Sequence, residues 1–485
     1  MICNPNLYNM KEKHIERFRH APIYVSITTA LVLILFSACT RVFNVSNPIA
    51  LLPAPVSIDS AHWIDWNIMF PPGTSNASID QEITNIEGEI TRYLAPHGYI
   101  GYYHVLTCPC DSTLRNLTAI PVLGSGQAFQ PPPTPPPPPG GSGNGIAYTA
   151  SLNNPLLVDM PVKAGDPNNV NAAPSKRLPL KDISVDNSKT LAIMDTGLDT
   201  SYFSNPIANM LWTDPQGLTL RNFTFSNPTF PLDYFADDHP GKHGTGVTGI
   251  AVHALGETGS YPRIMVLKVL DNNERGSTFG VSCALSYAVQ HHATLVNASL
   301  GYYNTATNDI DPVLFYYTDL CNHSQNDSIF VFSAAGNLGL PHTTLCAAPS
   351  KGNELSAANG NTRLFYPACF SNRLMNVITI TGLSNLSQSC FYQNYSAKYV
   401  SAGVLNAAPG NTCCAFPIAA MNLSFEGSSF ATPVASGKVM GCLLNTTIGT
   451  ARSTRQCLNS ITQTSSSLTA VTVNGKYIDN TKDQR

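Results

Sequence analysis

Thr190-Leu191-Ala192-Ile193-Met194-Asp195-Thr196-Gly197 is a short apolar run that stops at a carboxylate and a turn-forming glycine. A run this short, apolar at successive positions, reads as a strand buried on both faces. Asp195 then stands at the strand's carboxyl end, where backbone donors can hold a buried carboxylate. Four further runs share this texture: Arg263–Leu270, Thr294–Leu300, Ile329–Ala335 and Asn376–Thr381. Helical stretches lie between them, notably Phe279–His291. The alternation predicts an α/β domain, with a mostly parallel central sheet and helices on both faces. Ligands of such sheets bind beyond the carboxyl ends of the strands, so chemistry is expected there.

Three other segments carry polar groups suited to that end of the sheet. Lys242-His243-Gly244-Thr245-Gly246-Val247-Thr248-Gly249 predicts a helix opening at His243. Each of its three glycines costs about 1 kcal/mol relative to alanine, which a helix tolerates where it must lie close to a neighbour. Ala334-Ala335-Gly336-Asn337 closes the run Ile329–Ala335 with an amide that can donate to an oxyanion, although Gly-Asn also suits a plain turn. Gly427-Ser428-Ser429-Phe430-Ala431-Thr432-Pro433 reads as a sharp loop opening onto a helix of small residues. Pro433 is expected near the first turn, where its missing N–H costs least. A hydroxyl at Ser429 sits beside helix N-terminal N–H groups that can stabilise a developing oxyanion, or serves only as a cap. Asp-Thr-Gly also marks the aspartic proteases, which need two copies; the chain contains one.

Composition narrows the setting. Only 12% of the 485 residues are charged and the net charge is -3, which excludes a basic nucleic-acid surface and an acidic tail. Lys11, Lys13, Arg17 and Arg19 precede an apolar run from Ala21 to Ala38, so residues 1–38 read as a secretory signal. Leu35-Phe36-Ser37-Ala38-Cys39 resembles a bacterial lipoprotein cleavage box, with Cys39 as the lipidated first residue and membrane anchor. An ordinary signal peptide or an uncleaved anchor is the alternative; every reading puts the body outside the cytoplasm, anchored or secreted. Of 13 cysteines, two belong to the signal region, and the odd remainder predicts disulfides with at least one thiol left over. Cys108-Pro109-Cys110 and Cys413-Cys414 lack zinc-site spacing, and no metal ligand is assigned.

Residues 39–125 read as a small N-terminal α+β unit, with a helix Ile79–Leu94 and a strand Tyr99–Leu106. Residues 126–145 are a linker: two proline runs, Pro131–Pro133 and Pro135–Pro139, then Gly140-Gly141-Ser142-Gly143. The main domain spans 146–465. In the tail, 466–485, Leu468–Val473 and Lys476–Asp479 flank Asn474-Gly475 and predict an edge hairpin.

Together the blocks Asp195-Thr196-Gly197, His243-Gly244-Thr245-Gly246-Val247, Ala334-Ala335-Gly336-Asn337 and Gly427 to Pro433 resemble those of the subtilisin-like serine proteases, in the family's order. Ser299-Leu300-Gly301 and Tyr366-Pro367-Ala368 extend the resemblance, which covers Tyr148 to Leu444. Ser428, Phe430 and Val434 depart from the usual Thr, Met and His, and none removes a catalytic atom. The resemblance implies a serine endopeptidase in which Ser429 attacks, His243 is its base, Asp195 orients the imidazole, and Asn337 donates to the oxyanion. A protein or peptide substrate would lie extended between Gly276-Ser277 and Ser299-Leu300-Gly301. No cofactor is required by that chemistry; calcium often stabilises the family, and the sequence names no ligand set for it. Residues 39–125 would then be a pro-domain or inhibitory cover, or a spacer between membrane and enzyme. The competing expectation is a non-catalytic binding lipoprotein on the same fold. The sequence does not indicate an oligomeric state.

Overall fold

Strands form where the apolar runs predict them. The computed structural model describes residues 63–70, 74–75, 77–79, 81–82, 100–107, 118–120, 149–152, 155–156, 177–215, 219–224, 231–304, 311–323, 328–337, 352–356, 364–406, 415–418, 423–445 and 453–481. The signal region, Cys39, the linker, Cys108-Pro109-Cys110, Cys413-Cys414 and nearly all of the predicted helix Ile79–Leu94 lie outside these residues. The chain divides at His62, and everything described belongs to the second unit, Trp63–Arg485.

The small N-terminal sheet consists of β1 (Trp63–Phe70), β2 (Ile100–Thr107), β3 (Thr118–Ile120) and β4 (Thr149–Leu152), in the order β3-β2-β1-β4. β1 and β2 are parallel, and the outer strands run antiparallel to them. β4 follows the predicted linker, so this sheet draws strands from both sides of it. Two residues later β5 (Pro155–Leu156) pairs antiparallel with β8 (Gly276–Ser277).

The main sheet is built on β6 (Ser184–Asp195), β7 (Ser260–Lys268), β9 (Leu295–Ala298), β11 (Phe330–Ala334), β13 (Val377–Asn385), β15 (Ala402–Leu405) and β19 (Lys476–Asp479). These seven are parallel, in the order β7-β6-β9-β11-β13-β15-β19. Two short antiparallel strands complete it: β14 (Gln388–Ser389) on β13, and β18 (Thr462–Thr464) on β19. The predicted hairpin is therefore shifted. Lys476–Asp479 is a strand, but its antiparallel partner is Thr462–Thr464, and Leu468–Val473 is turns and 3₁₀-helix. Asn474 (φ 57°) and Gly475 (φ 65°) do take the left-handed turn their sequence favours. β19 is also the outermost parallel strand, bonded to β15.

Successive residues of β6 face opposite cores: Ala192 and Met194 on one side, Leu191 and Ile193 on the other. The first core is covered by α2 (Thr278–Gln290) and α3 (Pro312–Leu320), the second by α1 (His243–His253) and α4 (Ser428–Leu444). Helices on both faces explain why the strands read as continuous apolar runs. Caps fix the helix starts: the Ser277 hydroxyl accepts from Gly280 N–H, and Asp311 accepts from Val313 and Leu314 N–H ahead of Pro312. α5 (Thr454–Ile461) is joined to α4 by the disulfide Cys442–Cys457, and Cys390 is also disulfide-bonded. Among the described residues no helix is long and apolar enough to cross a membrane.

α1 and α4 lie against each other at backbone contact. A Cβ on Gly437 would overlap the carbonyl oxygen of Ala251, and one on Gly441 that of Leu255. In α1, a Cβ on Gly244 would overlap the Gly197 carbonyl, and one on Gly246 the ring of Phe425. The glycines are thus close-approach residues, as the expected tight packing requires. Gly441→Ala gains about 1 kcal/mol of helix propensity, but the overlap is with backbone, which cannot swing aside. Overpacking of this kind costs about 1–3 kcal/mol, so thermal unfolding should show a net drop in melting midpoint; an unchanged or raised midpoint would contradict the packing.

Candidate active site

The register of the parallel strands brings three chain segments to one place. Met194 on β6 is level with Ala298 on β9, which is level with Ser333 on β11. Asp195, Ser299 and the Ala335-Gly336-Asn337 turn therefore emerge side by side at the carboxyl ends. α1 starts at His243, and Ser429 lies in the first turn of α4. Asp195 Oδ1 accepts the Thr196 N–H at 2.8 Å and lies 2.6 Å from His243 Nδ1. Both side chains are withdrawn from water, at 1% and 0% exposure. An ionised carboxylate can only accept, so the Nδ1–H of His243 donates, and Nε2 is the basic nitrogen. Nε2 is buried and makes no hydrogen bond. The ring of Phe430, next to Ser429, lies 4.8 Å from the imidazole and 4.6 Å from Phe425. Burial by itself would lower the pKa of His243, but the charge and hydrogen bond of Asp195, joined by Glu274 and Asp237, outweigh it and raise the pKa above 6.5.

Pro433 does not sit in the first turn of α4 as expected; it lies one turn further, inside the helix. Proline has no N–H, so the carbonyl four residues earlier, that of Ser429, loses its helical partner. Ser299 replaces it, its hydroxyl donating to Ser429 O at 2.6 Å. Behind it Asn297 Nδ2 donates to Ser299 Oγ (2.9 Å), and Ser436 Oγ donates to Asn297 Oδ1 (3.0 Å). On the other side of the Gly427-Ser428-Ser429 loop, the Ser428 N–H donates to Asn337 Oδ1 at 3.0 Å. That bond leaves Asn337 Nδ2 as the amide's donor face, beside the position a Cβ of Gly427 would occupy.

Residues 186–470 match the subtilase family. The chain belongs to that family. Among curated relatives, 212 residues align at 26% identity with the thermophilic serine proteinase of Bacillus sp. (strain AK1), covering 42% of this chain and 41% of that one. Thermitase of Thermoactinomyces vulgaris is 25% identical over 263 residues, 53% of this chain and 75% of its own. Subtilisin-like protease 3 of Plasmodium falciparum (isolate 3D7) is 26% identical over 211 residues, 43% of this chain and 24% of its own. The chain thus spans less than half the length of two of these three relatives. A solved cold-adapted subtilisin-like serine proteinase overlays 64% of the chain and 96% of its own, at 18% identity and a TM-score of 0.40.

In this subtilase the other predicted residues fall as follows. Gly276 and Ser277 are half-buried edge residues, already paired with Pro155-Leu156. Ser299 turns its hydroxyl inward, Leu300 is in the core, and Gly301 packs on Phe365 and the Tyr366 carbonyl, so all three residues are buried. Cys39 lies outside the described residues. Among those residues no group of three or more His, Cys, Asp or Glu could hold a metal ion.

Sequence reading missed Asp237. One of its carboxylate oxygens accepts from Thr196 Oγ1 at 2.9 Å, the other from Thr245 N–H and Oγ1 at 2.9 and 2.6 Å. Since Thr196 Oγ1 also accepts the Gly244 N–H, Asp237 ties the end of β6 to the first turn of α1. The one signal was an adjacent acid pair, Asp237-Asp238, in a chain only 12% charged. Lys268, the ladder partner of Asp195, was also missed; its buried ammonium donates to Thr196 O and Asp238 Oδ1.

Glu426, just ahead of Gly427-Ser428-Ser429, is buried, and burial pushes its carboxyl up to about 7 against a lowering hydrogen bond from Tyr392. An unfolded chain releases that proton near 4.5, so between the two values the folded state holds a proton the unfolded state has lost. Stability from this group therefore falls as pH rises from 4.5 to 7. Glu426→Gln should melt increasingly above the parent as pH goes from 5 to 8; a pH-independent difference in midpoint would count against it.

Proposed function

We propose that this subtilase is a serine endopeptidase, with Ser429 as nucleophile, His243 as general base and acid, and Asp195 as the orienting carboxylate. The observation that carries the reading is the buried 2.6 Å pair of Asp195 and His243 beside the start of the helix bearing Ser429. Ser429 Oγ attacks the scissile carbonyl while His243 Nε2 takes its proton. The imidazolium, stabilised by Asp195, then protonates the leaving amine. Asn337 Nδ2 and the Ser429 N–H donate to the oxyanion, and Asn337 is aimed there because Ser428 occupies its other amide atom. Water next enters, His243 removes its proton, and the acyl-enzyme is hydrolysed. Because the pKa of His243 is raised, the basic form is lost as pH falls through a value above 6.5. A fluorophosphonate should label the parent at one site, fail on Ser429→Ala, and react with an acid limb whose midpoint exceeds 6.5. Labelling that survives in Ser429→Ala would remove the nucleophile from Ser429.

The substrate on this reading is an extended peptide added to the Gly276–Ser277 edge. Pro155-Leu156 supports this, since a stretch of the same chain pairs antiparallel with that edge. It also favours a covering role for the N-terminal sheet. Asn67 Nδ2 donates to Thr278 Oγ1 at 2.9 Å at the start of α2, and Met69 joins the core under it. The sheet thus delivers β5 to the substrate edge. Leu156→Pro, which disrupts strand pairing, should raise hydrolysis of an extended peptide by the full chain several-fold; an unchanged rate would leave β5 no covering role.

A further inference from the structure

Ala335, Gly336 and Asn337 form a turn at the end of β11 whose three successive carbonyls are each held from outside. Asn394 Nδ2 donates to Ala335 O at 2.9 Å, and Asn394 N–H to Gly336 O at 3.0 Å. The third carbonyl, that of Asn337, accepts from the hydroxyl of Tyr303. Tyr303 lies on β10 (Tyr302–Asn304), just after the segment Ser299-Leu300-Gly301, and β10 pairs with β12 (Leu364–Tyr366). Its ring packs 5.0 Å from that of Phe365. The hydroxyl is itself oriented, because it accepts from Asn394 Nδ2 at 2.6 Å. A phenol has one proton, and with Asn394 donating to the oxygen, that proton goes to Asn337 O.

We propose that Tyr303 is a positioning residue of the oxyanion hole, holding the Asn337 backbone so that Nδ2 points at the developing charge. The inference rests on Ser429 being the nucleophile and Asn337 the donor. Gly336 (φ 83°) gives the turn no side chain to brace it, and a Cβ there would collide with Asn394 Nδ2 and the Phe365 ring. The turn's geometry is consequently fixed by its hydrogen bonds. Asn337 is held at Oδ1 by Ser428, at its carbonyl by Tyr303, and by a single antiparallel bridge to Gln393; with the carbonyl anchor gone, its peptide plane can tilt on that bridge and the side chain shift about Oδ1. A donor must be held to about 0.5 Å for full effect, so such a shift reduces transition-state binding without touching the groove that binds the ground state.

The test is a double-mutant cycle with Tyr303→Phe and Asn337→Gly on an extended chromogenic peptide. Tyr303→Phe keeps the ring and its packing, and melting midpoints verify folding of each variant. The expected result is a fall in kcat of about tenfold for Tyr303→Phe at nearly constant KM, below the hundredfold or more typical of deleting an oxyanion donor. In the Asn337→Gly background the same change should alter kcat less than about twofold, because there is no amide left to aim. An active parent with unchanged kcat in Tyr303→Phe, or an equal fall in both backgrounds, overturns the positioning role. A parent that neither cleaves peptide nor reacts with fluorophosphonate overturns the peptidase reading itself, a distinguishable result.

Discussion

Gly437 and Gly441 let the helix that carries Ser429 lie with its backbone on the carbonyls of Ala251, in the helix that carries His243, and of Leu255, two residues past that helix's end. Side chains of ordinary size at these positions would push the two axes apart, and Ser429 and the imidazole would separate with them. The same closeness has an electrostatic consequence. α1 is buried from His243 to Val252, so the imidazole at its start has no water to stabilise a positive charge. That stabilisation has to come from fixed carboxylates, and Asp195 supplies it at the end of the neighbouring strand. Packing and chemistry are therefore one constraint: the arrangement that brings the groups together also dries the site.

Backbone groups left unpaired by this arrangement are reused to hold the site. A proline one turn into α4 would ordinarily weaken the helix, through a lost hydrogen bond and a buried carbonyl without a donor. Here the freed carbonyl belongs to Ser429, and the Ser299 hydroxyl reaches it from the end of β9. The backbone of Ser429 is thus bonded across to the sheet instead of along its own helix. Asn297 and Ser436 extend the contact into a buried chain whose named atoms donate and accept in sequence. Such a chain resists displacement because breaking any one bond strands a buried polar atom.

Much of the fold was legible because the parallel strands are apolar on both faces and stop abruptly: the carboxyl ends at Asp195 and Ala335 read correctly to within a residue, although β6 starts at Ser184, six residues before its apolar run, in a half-exposed stretch with no such signal. The residues that emerge from strand ends and helix starts, Asp195, His243, Asn337 and Ser429, shared that legibility. The residues that hold them did not. Asp237, Ser299 and Tyr303 act through contacts between segments far apart in the chain, and hydroxyl or carboxyl identity says nothing about which carbonyl or N–H it will meet. Ser299 was expected beside substrate because its segment resembles one that lines the family's groove; its hydroxyl in fact turns inward to Ser429 O, a contact no local pattern announces. The C-terminal hairpin was misplaced for a related reason. Asn474-Gly475 fixes a left-handed turn, but turn chemistry alone does not specify which flanking residues pair, and β15 recruited Lys476–Asp479 into the main sheet.

Three carboxylates raise the proton affinity of His243, but they are not equivalent. Asp195 touches the ring and is the largest favourable influence, whereas Asp237 acts through space. Asp237 is surrounded by the hydroxyls of Thr196 and Thr245 and by N–H groups, whose dipoles are turned toward it and screen its field. Glu274, in the loop ahead of β8, faces His239 at 3.0 Å, a second imidazole–carboxylate pair. On the proposed mechanism, a base made stronger by its surroundings is protonated over more of the pH range, but its protonated form is better stabilised when Ser429 gives up its proton. Burial pulls the other way and diminishes both effects together, leaving a net upward shift. Asp237 cannot act on the field alone, because the same carboxylate ties Thr196 at the end of β6 to Thr245 in the first turn of α1 and so helps to hold the 2.6 Å contact that orients the imidazole.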